Sequence, residues 1–209
     1  MTPPGGAPWA EGLATVCHEL RRPLTVIRGA ATLLLEADER LAPDSRAQML
    51  ALIDSSARSM ADLVDDLALL AHLEAAQVQA RIQAVPVAAL LAAAAEAVRT
   101  RDPGARVFVV RPEEISVETD PEQVLNLLRA LVSALRRSPQ AADVELSAVA
   151  AGDGVRILVA SHSPRGEDGP DGLALLLARG LSRLLSAELA ETALPGGRSA
   201  FSFNLNRRV

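Results

Sequence analysis

Apolar residues return at a fixed helical interval through the first third of the chain, and this restricts the fold more than any other feature. Leu13, Leu20, Ile27 and Leu34 recur every seven residues, with Val16, Leu24 and Ala31 between them. That is the spacing of an a/d stripe on an α-helix. The segment Leu41-Ala-Pro-Asp44 interrupts the pattern, and Asp44 or Ser45 reads as an N-cap. Leu50, Ile53, Ala57, Met60, Val64, Leu67 and Ala71 then alternate steps of three and four without a slip. Two long helices with a short connection form an antiparallel hairpin. Such a hairpin has one apolar stripe per helix and little else to bury it. Two copies packed as a four-helix bundle solve that problem, so a homodimer is expected.

After Gln77 the period changes. Val78–Ile82, Arg106–Val110 and Ile115–Val117 read as short strands, and Val87–Arg99 as an alanine-rich helix. Asp120–Arg137 is an expected helix, with Asp120 as N-cap and Pro121 at the first helical position. Val144–Val149 and Val155–Ala160 form a hairpin about Gly152-Asp153-Gly154. A helix over Gly172–Ser186 precedes a last hairpin, Glu188–Ala193 with Ser199–Asn206, around Pro195-Gly196-Gly197. Helices and strands do not alternate regularly, so the second part is an α+β sandwich with a mixed sheet rather than a doubly wound fold. The expected division is a flexible Pro- and Gly-rich lead-in over 1–12, a hairpin domain over 13–78 and the sandwich over 79–209.

Composition narrows the function. The chain has 209 residues and net charge −5, and all 21 of its basic residues are arginine. Residues 1–80 hold six arginines against eleven acidic residues, so the whole acidic excess lies there. An acidic chain with 2% aromatics argues against nucleic-acid backbones and stacking platforms. The lone Cys17 rules out an intrachain disulfide framework and suits a reducing cytoplasm. The longest apolar run, Val85–Ala95, contains Pro86 and is far short of a membrane span. Met1–Trp9 lacks the basic and apolar regions of a signal peptide. The expectation is a cytoplasmic protein that binds neither nucleic acid nor membrane.

With Leu13 at a and Val16 at d, His18 falls at f, the outermost heptad position, and Cys17 at e on the flank of the bundle. An imidazole there faces solvent. Pro23, five residues on, removes a backbone donor and weakens the helix beside the histidine. His72, near the end of the second helix, reads as a surface residue that suits the dipole. His162 is not expected to be a ligand, and no His/Cys/Asp spacing suggests a metal site.

His18-Glu-Leu-Arg-Arg-Pro-Leu-Thr25 resembles the H-box of bacterial sensor histidine kinases. Leu63-Val-Asp-Asp-Leu-Ala-Leu-Leu-Ala-His-Leu-Glu74 resembles the second helix of their dimerisation and phosphoacceptor domain. The resemblance implies that His18 is the phosphoacceptor. A neutral imidazole attacks a phosphoryl group in line, giving a phosphoramidate that a receiver aspartate accepts. It implies Glu19 as general base and leaves Arg21 and Arg22 to steady phosphate oxygens. The family has Thr or Asn where this chain has Arg22, to orient a hydrolytic water. Arginine has no acceptor, so weak or absent phosphatase activity is expected.

The second part resembles the family's ATP-binding domain, with its nucleotide contacts altered. The helix from Asp120 looks like the N-box helix. Registered on its C-terminal Ala-Leu-Arg-Arg-Ser-Pro, the metal-binding Asn position is Ser133 and the position one turn earlier Arg129. Registered on Asp120, these are Ala134 and Ala130. Asn126 lies on the same face but too early. Val155–Gly166 resembles the strand and turn carrying Asp-x-Gly-x-Gly, with Ser161 at the Asp position and Ser163 and Arg165 at the two Gly positions. Serine bonds adenine more weakly than a carboxylate does, and an arginine in a glycine turn crowds a nucleotide. Pro170-Asp-Gly-Leu-Ala-Leu175 resembles the second Gly box, keeping Gly172 and replacing a glycine with Ala174. Between the two there is no room for the family's lid.

The expected function is a histidine phosphotransferase of a two-component phosphorelay, similar to bacterial phosphotransferases that join a kinase-like hairpin to a degenerate ATP domain. Its partners would be response-regulator receiver domains and a hybrid histidine kinase as donor. It would have no cofactor of its own, with Mg²⁺ on the receiver. The alternatives are an ATP-dependent histidine kinase with a minimal lidless site, and a non-catalytic receiver-binding adaptor.

Overall fold

The first helix starts before its apolar stripe does. In the computed structural model, which describes residues 8–37, 41–102, 104–110, 114–136, 143–162 and 172–206, α1 spans Pro8–Ala37. Residues 8–12, expected in the lead-in, are therefore helical. Proline is tolerated in a first turn because the N–H it lacks has no helical partner there. Residues 1–7 lie outside the described residues, as does the side chain of Leu13. Helix α2, Pro43–Glu74, also begins on a proline. The Ala42 carbonyl accepts its first bond, from the Arg46 N–H at 3.0 Å. Asp44 and Ser45 thus lie inside the first turn rather than at the N-cap, and the Asp44 charge suits the helix dipole.

On α1 the covered side chains include Val16, Leu20, Pro23, Ile27, Ala30 and Leu34, at a and d positions, with Thr15, Glu19 and Ala31 beside them. On α2 they include Met49, Ile53, Ser56, Met60, Leu63 and Leu67. The expected α2 stripe is thus half displaced: Ile53, Met60 and Leu67 are covered, whereas Leu50, Ala57, Val64 and Ala71 are exposed. The reason is geometric. The rows 49/56/63 and 50/57/64 flank the 53/60/67 row on opposite sides, and a single partner helix covers one flank.

The chain divides into two compact units, Met1–Leu69 with Pro170–Leu173, and Leu70–Gly169 with Ala174–Val209.

The second unit runs β1 (Gln83–Pro86), α3 (Val87–Arg101), β2 (Val107–Val109), β3 (Ser116–Thr119), α4 (Pro121–Leu135), β4 (Val144–Ala151), β5 (Gly154–Ser161), α5 (Leu173–Leu184), β6 (Ala190–Leu194) and β7 (Arg198–Asn206). A five-stranded sheet has the order β2-β4-β5-β7-β6, with β2 and β4 parallel and the other pairs antiparallel. This is the mixed-sheet α+β sandwich expected from the irregular order of elements. β1 and β3 form a separate antiparallel ribbon. The first strand lies at 83–86, not at 78–82. Its position is set by long-range partners that local propensity does not report: the Arg81 N–H is tied to the Asp120 carboxylate, and Gln83 pairs with Thr119.

Asp120 caps α4, accepting from the Glu122 and Gln123 N–H groups, with Pro121 in the first turn. The core lies between the helices and the sheet. Leu91 of α3, Leu127, Leu128 and Leu131 of α4, Ile157 of β5, and Phe201 and Phe203 of β7 are all fully buried. Gly154 opens β5 where a side chain has no room, since a Cβ there would stand 2.4 Å from the Leu205 carbonyl oxygen.

Candidate functional site

His18 is exposed on α1. Helical spacing puts Arg21 and Arg22, at i+3 and i+4, on the same outward face, and both are exposed. Two guanidinium forks therefore stand within one turn of the imidazole, able to meet a tetrahedral anion bound there. Glu19 is half-buried, about 100° round the helix from His18.

Pro23 cannot donate, so the Glu19 carbonyl loses its regular i+4 partner. Two residues further on, the Thr25 hydroxyl donates to the Arg21 carbonyl at 2.8 Å. A back-bonding Thr beside a Pro bends a helix. Sequence reasoning flagged Pro23 but missed Thr25, for which the Pro-x-Thr spacing was the available signal.

In the second unit, α4 presents Glu122, Asn126, Arg129 and Ser133 on its outward face, with Ser133 exposed. Ala130 and Ala134 are buried in the core. Only the C-terminal registration of this helix therefore puts its metal-ligand position on an accessible face. The carboxamide on that face is Asn126, and its Oδ1 accepts a bond from Arg129 Nη1 at 3.1 Å. At the metal-ligand position itself, Ser133 or Ala134, neither registration puts a carboxamide.

Ser161 ends β5 as a buried residue. His162, just beyond, donates its N–H to the Asp143 carbonyl at 2.8 Å, and its Nε2 lies 3.4 Å from Glu145. This cross-strand partner gives His162 a structural occupation. Gly172 is buried immediately before α5, and Ala174 is half-buried in the first turn of that helix. Ser163 and Arg165 lie outside the described residues. Among the described residues, no group of three or more His, Cys, Asp or Glu side chains is placed to hold a metal ion, and no helix is long and apolar enough to cross a membrane.

An exposed histidine on a helical hairpin, followed by a sandwich of this topology, is an architecture of the histidine-kinase type. Residues 10–76 match the family model of the His Kinase A (phospho-acceptor) domain. The sensor protein DivL of Caulobacter vibrioides is 30% identical over 213 aligned positions, covering 92% of this chain but 27% of that protein. The chain thus spans about a quarter of the length of this relative. The structure resembles the histidine kinase AdeS of Acinetobacter baumannii, with a TM-score of 0.67 and 18% identity over 92% of this chain and 98% of that one. It also resembles full-length ShkA, solved in complex with AMPPNP, with a TM-score of 0.60 and 26% identity over 95% of this chain and 46% of that one. The sandwich is therefore like the ATP-binding domains of histidine kinases.

Proposed function

We propose that the chain is a histidine phosphotransferase of a two-component phosphorelay, carrying a phosphoryl group between receiver-domain aspartates through His18 without using ATP. One ring nitrogen of neutral His18 attacks the phosphorus of a receiver's aspartyl phosphate. The P–O bond to the aspartate breaks, the carboxylate leaves and a phosphoramidate forms; the reverse step loads a second receiver. Arg21 and Arg22 hold the equatorial oxygens, and Glu19 serves as base toward the ring's other nitrogen. Mg²⁺ comes with the receiver. A hybrid histidine kinase is a fitting donor, and the cytoplasm suits the lone Cys17. Arg22 stands where a water-orienting Thr or Asn would be needed, so phosphatase activity is weak.

The observation that carries this reading is the contrast between the two ends of the chemistry. The acceptor histidine is exposed beside two arginines, while the metal-ligand position of α4, Ser133 or Ala134, carries no carboxamide. The rival, an ATP-dependent histidine kinase, is favoured by the likeness to a kinase solved with AMPPNP.

The protein acts as a homodimer in this proposal. The exposed apolar row Leu50, Ala57, Val64 and Ala71 on α2, with Cys17 and Leu24 on α1, is what a second hairpin would cover.

The test mixes the purified protein with a radiolabelled phospho-receiver. Acid-labile label is expected on His18 and is absent in His18→Ala. Label on His18 from γ-labelled Mg·ATP with no partner would establish the kinase instead. Receiver binding with no label on His18 from either source would leave an adaptor.

A further inference from the structure

Arg21 and Arg22 are exposed one helical turn from His18, and among the described residues neither guanidinium has a hydrogen-bond or ion-pair partner. Many arginines elsewhere are occupied: Arg58 by Asp54, Arg99 by Glu96, Arg136 by Asp102 and Arg183 by Glu74. Arg28, two helical turns beyond Arg21, is exposed as well. From His18 to Leu35 the helix carries one acidic residue, Glu19, against these three arginines. A chain of net charge −5 thus turns a positive face of α1 outward around an imidazole. Such a field draws anions toward the ring.

The other two histidines lack these surroundings. His72 is exposed, but Ala68, Leu69, Ala75 and Ala76 stand three and four residues away from it and carry no charge. His162 Nε2 lies 3.4 Å from the Glu145 carboxylate, which repels a phosphate.

Phosphoryl transfer gathers negative charge on three equatorial oxygens, and that charge has to be met by cations. A receiver brings a metal ion for the purpose. A free acyl phosphate brings nothing, so its acceptor must supply the positive charge. Two unoccupied guanidinium forks beside an exposed imidazole do so.

We infer that His18 also takes its phosphoryl group directly from small acyl phosphates, with no receiver and no metal ion. This rests on the reading of His18 as a phosphoryl carrier and widens its class of donor. One ring nitrogen attacks phosphorus. The P–O bond to the acyl group breaks, the carboxylate leaves with the electron pair, and the N–P bond forms. The proton on the other ring nitrogen passes to water. Arg21 and Arg22 hold the phosphoryl oxygens throughout.

The test incubates the full chain with acetyl phosphate and EDTA and reads acid-labile phosphate by peptide mass spectrometry. His18 is expected to label at least about tenfold faster than His72 or His162 in the same sample. Arg21→Ala and Arg22→Ala should each slow His18 about twofold to fivefold, the range of an exposed charged contact, with helix content unchanged. Raising salt to roughly 0.5 M should slow the unaltered protein more than the double variant. Labelling of His18 no faster than that of His72, or equally fast in the double variant, overturns the proposal. A parallel sample with a radiolabelled phospho-receiver separates the two readings. If the receiver loads His18 and acetyl phosphate does not, the small-donor proposal alone falls. If neither loads it, the carrier role of His18 falls with it.

Discussion

At Asp120 a single buried carboxylate accepts from the N–H groups of Glu122 and Gln123 through Oδ1 and of Arg81 through Oδ2. Replacement by alanine strands all three amides and cuts the tie between the linker and α4. Asp120→Ala should lower stability by about 2–3 kcal/mol, read as a shift of the urea midpoint, with Asp120→Asn losing less. Glycines separate three effects that sequence alone merges. Gly154→Ala drives a methyl into the Leu205 carbonyl of β7 and should cost more than about 2 kcal/mol, because a backbone cannot rotate away. Gly152→Ala meets no atom, but its φ of 55° makes the turn strained, for a loss of about 1 kcal/mol. Gly29→Ala also meets nothing and lies inside α1, so it should stabilise by about 0.5–1 kcal/mol. Thermal melts of the three variants would show whether this order holds.

The helices were legible at the level of elements because a period of 3.6 is written locally. Both long helices and α4 with its Asp120 cap follow from spacing and end signals. What the period leaves open is which flank of a stripe a partner covers. Leu50 and Val64 satisfied the pattern as well as Met49 and Leu63 do, yet only the latter are covered. The short strand at 83–86 was misplaced for a related reason, since its register is set by Ser116–Thr119 some thirty residues away. The uncovered row now makes a prediction of its own. Val64 is 54% exposed in the single chain, and a glutamate there costs that chain little. In a bundle it would bury a charge against a symmetry mate. If the hairpin dimerises through this row, Val64→Glu should give a monomer in sedimentation velocity, with helix content retained. A monomeric unaltered protein would refute the dimer directly.

Over the whole molecule, stability is unevenly distributed, and so was the legibility of the site. The exposed face of the His18 turn could be read because its residues are close in sequence on one helix. The registration of α4 could not, because it depends on which side of the helix looks outward, with Ser133 exposed and Ala134 buried. The two units also differ in what holds them. The sandwich closes around its own buried core, whereas among the described residues of the hairpin only Val16, Ala30 and Ser56 are buried. A seam that thin is marginal for a lone helical pair. If a second copy completes the hairpin, its unfolding is bimolecular: each tenfold rise in protein concentration should add about 1.4 kcal/mol to its apparent stability, while the sandwich stays unmoved. The chain supplies its own reporter. Trp9, the single tryptophan, lies on α1, and there is no tyrosine, so fluorescence follows the hairpin while circular dichroism follows both units. Urea titrations across a hundredfold range of concentration should give a fluorescence midpoint that climbs with concentration. A later dichroism transition should stay fixed. One coincident transition independent of concentration would mean that the hairpin draws its stability from elsewhere in its own chain.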